Sequence, residues 1–390
     1  MNFGMTQTKN IVQKLRDYLA SHPDFEKDFR ESFAAALKDN LAEFEEYNIR
    51  TFEDYLDFYE SYLRWVPCEN KDATAIYDRM CLFYYVLNKP PISRWRTPID
   101  PSSRPPWTWL SQWCIDYSKE IGKAMNTPGS LTEETLQTFY DSEAYHMEDY
   151  IKPPGGWKTF NDFFARKIKP ELRPIDAPED NSVIVSPTDS TFSGAWEVDS
   201  RGTTTFTSKG NPWPIGLLLD DAHNAVAYGK DFTGGTFCHS FLNSMDYHRI
   251  HAPVSGEVIE ARVIEGLCYL QVEAVPDVKG HNRMGVRRRL LAPDEPGFQF
   301  LQTRALILIK NPDVGLVAVL PIGMPQVASV VLSVKKGDVL RKGQELGYFQ
   351  MGGSDIVMVF QPQAQVQFTV DVGQWTPFGK QIAKAQVKST

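Results

Sequence analysis

The stretch Met351-Gly352-Gly353-Ser354-Asp355 runs directly into the apolar segment Ile356-Val357-Met358-Val359-Phe360 near the C-terminus. The apolar segment is rich in β-branched residues and has the length of a strand, so it predicts a buried β-strand. The two glycines before Ser354 predict a turn at the strand entrance. They leave the Gly353 carbonyl sterically open and permit strained backbone angles, which suits attack by Ser354 on its own preceding peptide bond.

The chain around this strand has the composition of a β domain from residue 156 onward. Short runs rich in Val, Ile, Phe and Thr alternate with Gly, Pro and Asn at spacings of about 8–12 residues. There is no βαβ alternation and no Gly-rich phosphate loop, so we predict a mainly antiparallel barrel or sandwich. Segments 252–258 and 334–347 resemble turns of the barrel-sandwich hybrid fold of biotinyl and lipoyl carriers, although the Met-Lys-Met tip of those carriers is missing.

Residues 1–155 form a different region, which we predict to be helical and to end near Pro153-Pro154-Gly155-Gly156. Apolar side chains recur every four residues at Phe25, Phe29 and Phe33, as on one face of a helix. Two interpretations of the many aromatic residues stay open: they form a helical core, or some of them line the mouth of an active site in the next domain. The predicted fold class is α+β, with a helical extension over 1–155 and a barrel-sandwich-hybrid-like β domain over 156–390.

Composition and charge exclude several classes of protein. The net charge is −8, and residues 1–150 hold 25 acidic against 16 basic side chains, which disfavours contact with nucleic acid or anionic lipid. The five cysteines are scattered without CxxC spacing, so we expect neither disulfides nor a zinc site and predict a cytoplasmic location. No apolar run approaches the ~20 residues of a membrane-spanning helix, and the N-terminus lacks a signal-peptide pattern, so no transmembrane segment is predicted.

A cluster of polar residues, Asp246-Tyr247-His248-Arg249-Ile250-His251, places two histidines three positions apart. If they are buried, so many polar groups need partners, which makes a purely structural role less attractive than a functional one. In an extended strand His248 and His251 face opposite sides, whereas in a loop or bulge both rings converge. A metal site would need a third ligand, and neither HxH nor HExxH spacing occurs, so we predict no metal.

A second polar segment, Ser186-Pro187-Thr188-Asp189, lies between two β runs. It is either a β-turn with an Asx cap or the source of an acid that orients a histidine. In the second interpretation Asp189, His251 and Ser354 form an Asp-His-Ser arrangement in which His251 accepts the serine proton. An esterase would place its serine in a Gly-x-Ser-x-Gly turn before a helix, and no helix is expected after Ser354.

In this order the segments resemble the phosphatidylserine decarboxylase family, whose members cleave themselves and depend on a pyruvoyl group. The resemblance covers roughly residues 157–390. It rests on Thr-Phe-Asn-Asp-Phe-Phe-x-Arg at 159–166, Arg173-Pro174, Ser-Pro-Thr-Asp at 186–189, Asp-Tyr-His-Arg-x-His-x-Pro at 246–253, Thr303-Arg304 and Gly-Gly-Ser at 352–354. The acidic, helical N-terminal region is similar to that of the soluble branch of the family, which includes L-tryptophan decarboxylases.

The resemblance implies that the chain is a zymogen that cleaves itself between Gly353 and Ser354. His251, oriented by Asp189, deprotonates Ser354, whose oxygen attacks the Gly353 carbonyl and gives an ester. β-Elimination then breaks the chain and leaves dehydroalanine, which hydrolyses to a covalent pyruvoyl group and ammonia.

The mature enzyme implied by the resemblance has a β chain, 1–353, and an α chain of 37 residues, 354–390, which stay associated through strand pairing. The pyruvoyl ketone forms a Schiff base with a substrate amine and acts as the electron sink when carbon dioxide leaves. His248 either donates the proton to the product carbanion or holds the substrate. The number of protomers stays open, with a homo-oligomer as one alternative.

Two residues depart from the family pattern. Asp355 stands where Ser or Thr is usual, and Ser190 stands where Gly is usual. Asp355 adds a carboxylate beside the scissile bond, where it either slows maturation or binds the substrate amine. Asp355, Tyr247 and Gly352 are therefore further candidates for contacts with the substrate or the cleavage loop.

The predicted substrate is a small molecule, a free amino acid, with an aromatic L-amino acid such as tryptophan as the first choice. The expectation rests on the missing membrane anchor and on the aromatic content of residues 59–113. The alternative is a phosphatidylserine decarboxylase that makes phosphatidylethanolamine. A basic cluster favours that alternative, although such a run is more commonly a solvated loop; it comprises Lys279, Arg283, Arg287, Arg288 and Arg289. A further alternative is a non-catalytic barrel-sandwich binding protein that does not cleave itself.

Overall fold

The computed structural model describes residues 10–208, 211–220, 228–282, 285–291, 297–326 and 329–386. Helices dominate its first 140 residues, and strands dominate the rest. The α-helices within these ranges are α1 (Ile11–Ser21), α2 (Pro23–Leu37), α3 (Ala42–Glu46), α4 (Phe52–Tyr62), α5 (Ala75–Asn88), α6 (Trp109–Met125), α7 (Glu133–Tyr140), α8 (Phe160–Phe164) and α9 (Ile215–Leu219).

The strands begin just before α8 and continue to the C-terminal end of the described chain. They are β1 (Tyr150–Ile151), β2 (Lys167–Ile168), β3 (Val183–Val185), β4 (Ser190–Glu197), β5 (Thr203–Ser208), β6 (Asn211–Pro214), β7 (Thr236–Leu242), β8 (Arg249–His251), β9 (Gly256–Ile264), β10 (Glu273–Asn282), β11 (Gly285–Leu291), β12 (Arg304–Asn311), β13 (Gly315–Gln326), β14 (Val330–Leu332), β15 (Val339–Leu340), β16 (Glu345–Phe349), β17 (Gly352–Phe360), β18 (Gln367–Phe368), β19 (Trp375–Thr376) and β20 (Gln381–Lys384).

An eight-stranded antiparallel sheet forms the centre of the β domain, in the order β15-β9-β12-β13-β17-β7-β4-β19. Two three-stranded sheets, β14-β16-β8 and β18-β20-β3, lie beside it. The α+β class and the antiparallel pairing predicted from the sequence are confirmed. The expected barrel is not closed within the described residues, because β15 and β19 remain as the two edges of the large sheet.

Strand β17 contains the predicted strand 356–360 and lies inside the large sheet between β13 and β7. It begins earlier than expected, at Gly352, so the prediction of a turn at the two glycines is wrong, because the sheet pairing continues through them. Its side chains divide between two cores, since alternate residues of a strand face opposite sides. Ile356 and Met358 belong to one core and Val357 and Val359 to the other. Burial on both faces explains why the strand reads as a continuous apolar run in the sequence.

The helices of the N-terminal region form where an apolar face and a capping residue coincide. Thr51 and Thr132 each cap a helix, α4 and α7, and both belong to a capping box. Pro23 occupies the first turn of α2, where its missing N–H costs no hydrogen bond.

The aromatic side chains at the centre of this region pack against one another. Tyr55, Tyr59, Phe83, Trp113 and Tyr117 are all buried. The rings of Tyr59 and Phe83 lie 4.7 Å apart, and the Tyr59 hydroxyl donates to the Tyr55 hydroxyl at 2.9 Å. For these five residues the structure favours the helical-core interpretation over the mouth of an active site.

The helical region and the β domain share one continuous hydrophobic core. Polar contacts join them as well: the Asn88 side chain donates to the Leu270 carbonyl at 2.8 Å, and the Tyr84 hydroxyl lies 3.2 Å from Sγ of Cys268. Helix α6 packs against β13, next to β17. Among the helices in the described ranges, none has the length and apolar character that crossing a membrane requires.

Candidate active site

The predicted scissile bond lies at the entrance of β17, where the large sheet is irregular. Ser354 pairs with Leu242 of β7 on one side and with Gly323 of β13 on the other. The register then jumps, because the next pair is Gln326 with Gly352, so β13 carries one more residue than β17 over this step. A bulge of this kind bends the strand and leaves part of the ladder unpaired.

Gly352 has a φ angle of +148°, a conformation that side-chain-bearing residues rarely adopt. This value explains why a glycine stands at the bulge. The side chains of Gly353 and Ser354 lie outside the described residues, so only the backbone of the predicted nucleophile is placed.

His248 stands directly before β8 and is fully buried. Its ring stacks on Phe164 with centroids 4.0 Å apart, and its Nε2 donates to the Ser244 carbonyl at 3.2 Å. Its own carbonyl accepts from the Phe349 amide at 2.9 Å, which joins the histidine to the end of β16. Burial lowers the pKa of His248 to about 3, and the positive charge of Arg166 acts in the same direction. The ring is therefore neutral near pH 7.

His251, at the end of β8, is held in one tautomer by its neighbours. Its Nδ1 donates to the Gly343 carbonyl at 2.8 Å, so its Nε2 is the acceptor and lies 3.1 Å from the Tyr247 hydroxyl. The ring stacks on Phe378 with centroids 3.9 Å apart. Burial lowers the pKa of His251 to about 4, against the opposing effect of the Gly343 hydrogen bond. A neutral ring with a free-base Nε2 has the electronic state that a proton acceptor needs.

Asp189 lies in the loop between β3 and β4, and its carboxylate is buried. Arg173 donates to it through two nitrogens, with Nε 3.0 Å from Oδ1 and Nη2 2.6 Å from Oδ2. The Phe378 amide also donates to Oδ1, at 2.8 Å. Asp189 and His251 therefore both contact Phe378, Asp189 through the backbone amide and His251 through the ring. Asp189 does not hydrogen-bond to the His251 ring. The Gly343 carbonyl, rather than the predicted Asp189 carboxylate, fixes the tautomer of His251 in this structure.

Asp355 follows the predicted nucleophile and is completely buried. Its Oδ2 lies 3.1 Å from Nε2 of His239 and accepts from the Gln299 amide at 3.0 Å. Because side chains alternate along a strand, Asp355 lies on the opposite face of β17 from Ile356. Ile356 belongs to the core that also contains Ile250 of the histidine motif. The structure thus gives Asp355 partners on the other side of the sheet.

Two arginines also belong to the site, and neither of them had a predicted role. Arg166 is buried; its Nη2 donates to the Met245 carbonyl at 2.8 Å, and its guanidinium lies 4.1 Å from the ring centroid of Tyr150. Arg173 is the partner of Asp189. Arg166 lies in the motif Phe-Phe-x-Arg and Arg173 in the motif Arg-Pro. These two motifs are the features of the sequence that could have predicted a role for the arginines. Among the described residues, no three His, Cys, Asp or Glu side chains are grouped to hold a metal ion.

Comparison with known proteins assigns this set of residues to a family. Residues 160–384 match the family model described as phosphatidylserine decarboxylase. The chain belongs to the phosphatidylserine decarboxylase family. The match includes Asp189, the histidine motif and Ser354, and it confirms the resemblance seen in the sequence. The family and its curated members are decarboxylases, that is, carboxy-lyases.

Individual relatives align with about two thirds of this chain. The decarboxylase iboD of Amanita muscaria is 34% identical over 68% of this chain and 78% of its own length. The phosphatidylserine decarboxylase proenzyme of Fusobacterium nucleatum is 30% identical over 65% of this chain and 73% of its own length. Proenzyme 3 of Schizosaccharomyces pombe is 33% identical over 63% of this chain, but this is only 23% of that relative. Two of these names contain the word proenzyme, which marks those relatives as precursors of an active enzyme.

Replacing Arg173 by Met should strongly destabilise the fold, because the Asp189 carboxylate then stays buried without its main partner. Removal of one member of a buried ion pair typically costs about 3–5 kcal/mol. We expect a loss of this order in the free energy of unfolding, measured by urea titration of a Ser354→Ala chain that remains in one piece. Arg201→Met is the matched control, since Arg201 pairs with Asp199 but is exposed. Equal losses in the two variants would contradict the role of Arg173.

The two buried histidines should make stability fall as the pH is lowered from about 6.5. The unfolded chain binds protons on both rings near pH 6.5, whereas the folded rings take them up only near pH 3 and pH 4. Between these limits the unfolded state holds more protons, so each histidine costs about 2 kcal/mol of stability at pH 5 relative to pH 8.

Urea titrations of the Ser354→Ala chain at pH 5 and pH 8 test this point. His248→Gln or His251→Gln should each reduce the difference between the two free energies of unfolding by about 2 kcal/mol. The control is His146→Asn, because His146 is exposed and Asn tolerates its positive φ. The prediction would be refuted if the free energy of unfolding changed between pH 5 and pH 8 by the same amount in the Ser354→Ala chain and in all three histidine variants.

Proposed function

We propose that this chain is a pyruvoyl-dependent decarboxylase of a free amino acid, with the pyruvoyl group made from Ser354. The observation that carries the proposal is the position of the Gly353–Ser354 bond. It lies at the bulged entrance of a strand that is paired on both sides, and Leu242, the partner of Ser354, leads directly into the loop that carries His248. A group at position 354 fits this site, because the ladder from Ser354 onward anchors the new N-terminus to β7 and β13.

His251 supplies the base for self-cleavage in this proposal. Its Nδ1–H is committed to the Gly343 carbonyl, so only Nε2 is available to take a proton. Nε2 is occupied by the Tyr247 hydroxyl. The Ser354 hydroxyl therefore has to displace Tyr247 from Nε2, or pass its proton through that hydroxyl. Asp189 contributes indirectly. It accepts a hydrogen bond from the Phe378 amide, and His251 stacks on the Phe378 ring.

His248 is the residue that we place at the decarboxylation step. When formed, the pyruvoyl group supplies the electron sink for loss of carbon dioxide. His248 is enclosed by Phe164 and Phe349, which exclude water from its ring. A substrate carboxylate beside it would favour the charged imidazolium and raise its pKa. His248 then acquires its proton when substrate binds and holds it for the product carbanion.

An aromatic L-amino acid such as tryptophan is the substrate that we propose first. The histidines of the site already lie against flat rings: His248 stacks on Phe164 and His251 stacks on Phe378. Such an environment favours a flat apolar side chain over a polar one. A relative of comparable length, iboD, carries the name decarboxylase without reference to a phospholipid.

Phosphatidylserine is the second candidate substrate, because the Fusobacterium and Schizosaccharomyces relatives are named for it. The basic cluster gives this candidate little support. Arg288 lies 3.7 Å from Asp39, and Arg289 lies 3.2 Å from Glu46, so both arginines tie the β10–β11 hairpin to the helical region. Arg283 and the side chains of Lys279 and Arg287 lie outside the described residues. A cytoplasmic location also stays a prediction, based on the scattered cysteines.

Self-cleavage should convert the wild-type chain into two bands on a denaturing gel. The small chain should be lighter than a serine-terminated peptide by one ammonia, since hydrolysis of dehydroalanine removes the nitrogen. Ser354→Ala should leave one full-length, inactive chain, and His251→Ala or Asp189→Ala should also block maturation. His248→Ala should mature but fail in turnover. Ser102→Ala is the control for serine replacement, and a wild-type chain that remains intact would overturn the pyruvoyl mechanism.

Carbon dioxide release should distinguish the two substrates. Mature enzyme incubated with carboxyl-labelled tryptophan, tyrosine or phenylalanine should release labelled carbon dioxide, and phosphatidylserine vesicles should release much less. His248→Ala provides the background for both assays, because it carries the cofactor without the predicted proton donor. Release from vesicles but from none of the three amino acids would make phosphatidylserine the substrate.

A further inference from the structure

Met351 joins two strands but belongs to neither. It follows the end of β16 and precedes β17, two residues before the predicted scissile bond. Its backbone N–H is not used in the sheet ladder; instead it donates to Oδ1 of Asn161 at 3.1 Å. Both residues are buried, with Asn161 3% and Met351 0% exposed. The Asn161 side chain thus accepts the Met351 N–H where a neighbouring strand would otherwise accept it.

Asn161 is itself held rigidly in short helix α8. Thr159 caps this helix through a hydrogen bond from the Asp162 amide, and Ser130 accepts from the Phe160 amide at 2.9 Å. The Asn161 amide nitrogen donates to Oδ1 of Asn126 at 3.1 Å. Because Asn126 is the C-cap of α6, the helical region is connected to the cleavage segment through two consecutive side-chain hydrogen bonds.

We propose that Asn161 is a positioning residue for self-cleavage, which fixes the Met351 amide and thereby the backbone of the two glycines that follow. This inference rests on the proposed function. Gly352 and Gly353 have more backbone freedom than other residues. Without an anchor at Met351 the segment would sample many conformations, and few of them would present the Gly353 carbonyl to the serine oxygen. Misplacement by about 1 Å can slow a positioned reaction about 100-fold.

The rate of maturation tests this inference. The full chain is synthesised in a cell-free reaction with a brief radioactive pulse, and the conversion of full-length to cleaved chain is followed on denaturing gels. Asn161→Ala should slow cleavage by about 10- to 100-fold. Asn161→Asp should retain a rate near that of the wild type, since its carboxylate accepts the same N–H and the Asn126 amide can rotate to donate.

Asn311→Ala is the matched control, because Asn311 is also buried and its Oδ1 accepts from the Asp313 and Val314 amides at the turn between β12 and β13, so the Met351 contact stays intact. It should cleave within about threefold of the wild-type rate, a margin far smaller than the positioning effect. Thermal unfolding of each variant in the Ser354→Ala background shows whether it folds. A folded Asn161→Ala chain that cleaves at the wild-type rate overturns the inference, as does a folded Asn311→Ala chain slowed to the same extent.

If the Asn161→Ala chain does not fold, the Asn161→Asp chain tests the inference instead. Slow cleavage by a folded Asn161→Asp chain then overturns the inference, and cleavage near the wild-type rate supports it. A wild-type chain that never cleaves overturns the proposed function and this inference with it. Cleavage by the wild type, with no difference among the variants, overturns the inference alone.

Discussion

The hydrogen-bonded position of β17 between β7 and β13 is the constraint on which the site depends. Pairing on both sides fixes the register, and the register decides which residues lie together. A slip of one residue would exchange the two faces of the strand. It would move Asp355 toward the core of the histidine motif and carry Ile356 to the other core. Apolar residues on both faces resist that exchange, since each is already buried in its own core.

Several polar groups of the site are stabilised in this interior by specific partners. Burial of an ionised or polar group without partners is costly. Asp189 is matched by Arg173, while the two histidines avoid the cost by staying neutral. The Gly343 carbonyl has a double role, since it satisfies the His251 ring and selects its tautomer. Gly343 itself adopts a φ of +82°, and a Cβ atom at this position would lie only 2.5 Å from the Ile175 side chain. Both facts require a glycine there.

Local patterns were sufficient to predict the elements of the fold. The helix predicted from Phe25, Phe29 and Phe33 is α2, and the apolar run after Ser354 lies in β17. The segment of Asp189 and the histidine motif were visible as well, because each holds several polar residues in a short segment, and Gly352-Gly353-Ser354 was visible as two glycines before an apolar run. The family could be named from their order alone.

Contacts between distant segments were not predictable from the sequence. The pairing of Asp189 with Arg173, of His251 with the Gly343 carbonyl and of Asp355 with His239 depends on how loops and strands meet in space. Short strands with alternating patterns do not specify which edges join, so the expected barrel could not be distinguished from the open sheet that the described residues form. The Asp-His-Ser arrangement was expected because such residues commonly act together, yet the backbone provides the orienting group here.

The last 37 residues contribute strands to the large sheet and to the sheet of β3, β18 and β20. If the chain is cut before Ser354 as proposed, unfolding of the mature enzyme also becomes dissociation of two polypeptides. Its melting temperature would then rise with protein concentration, which a single chain does not show. Recovery after denaturation would require two fragments to find each other, and a fragment of this size has too little core to fold alone. The intact chain therefore has to complete folding before the cut, and the mature enzyme is held in a state that it cannot easily reach again.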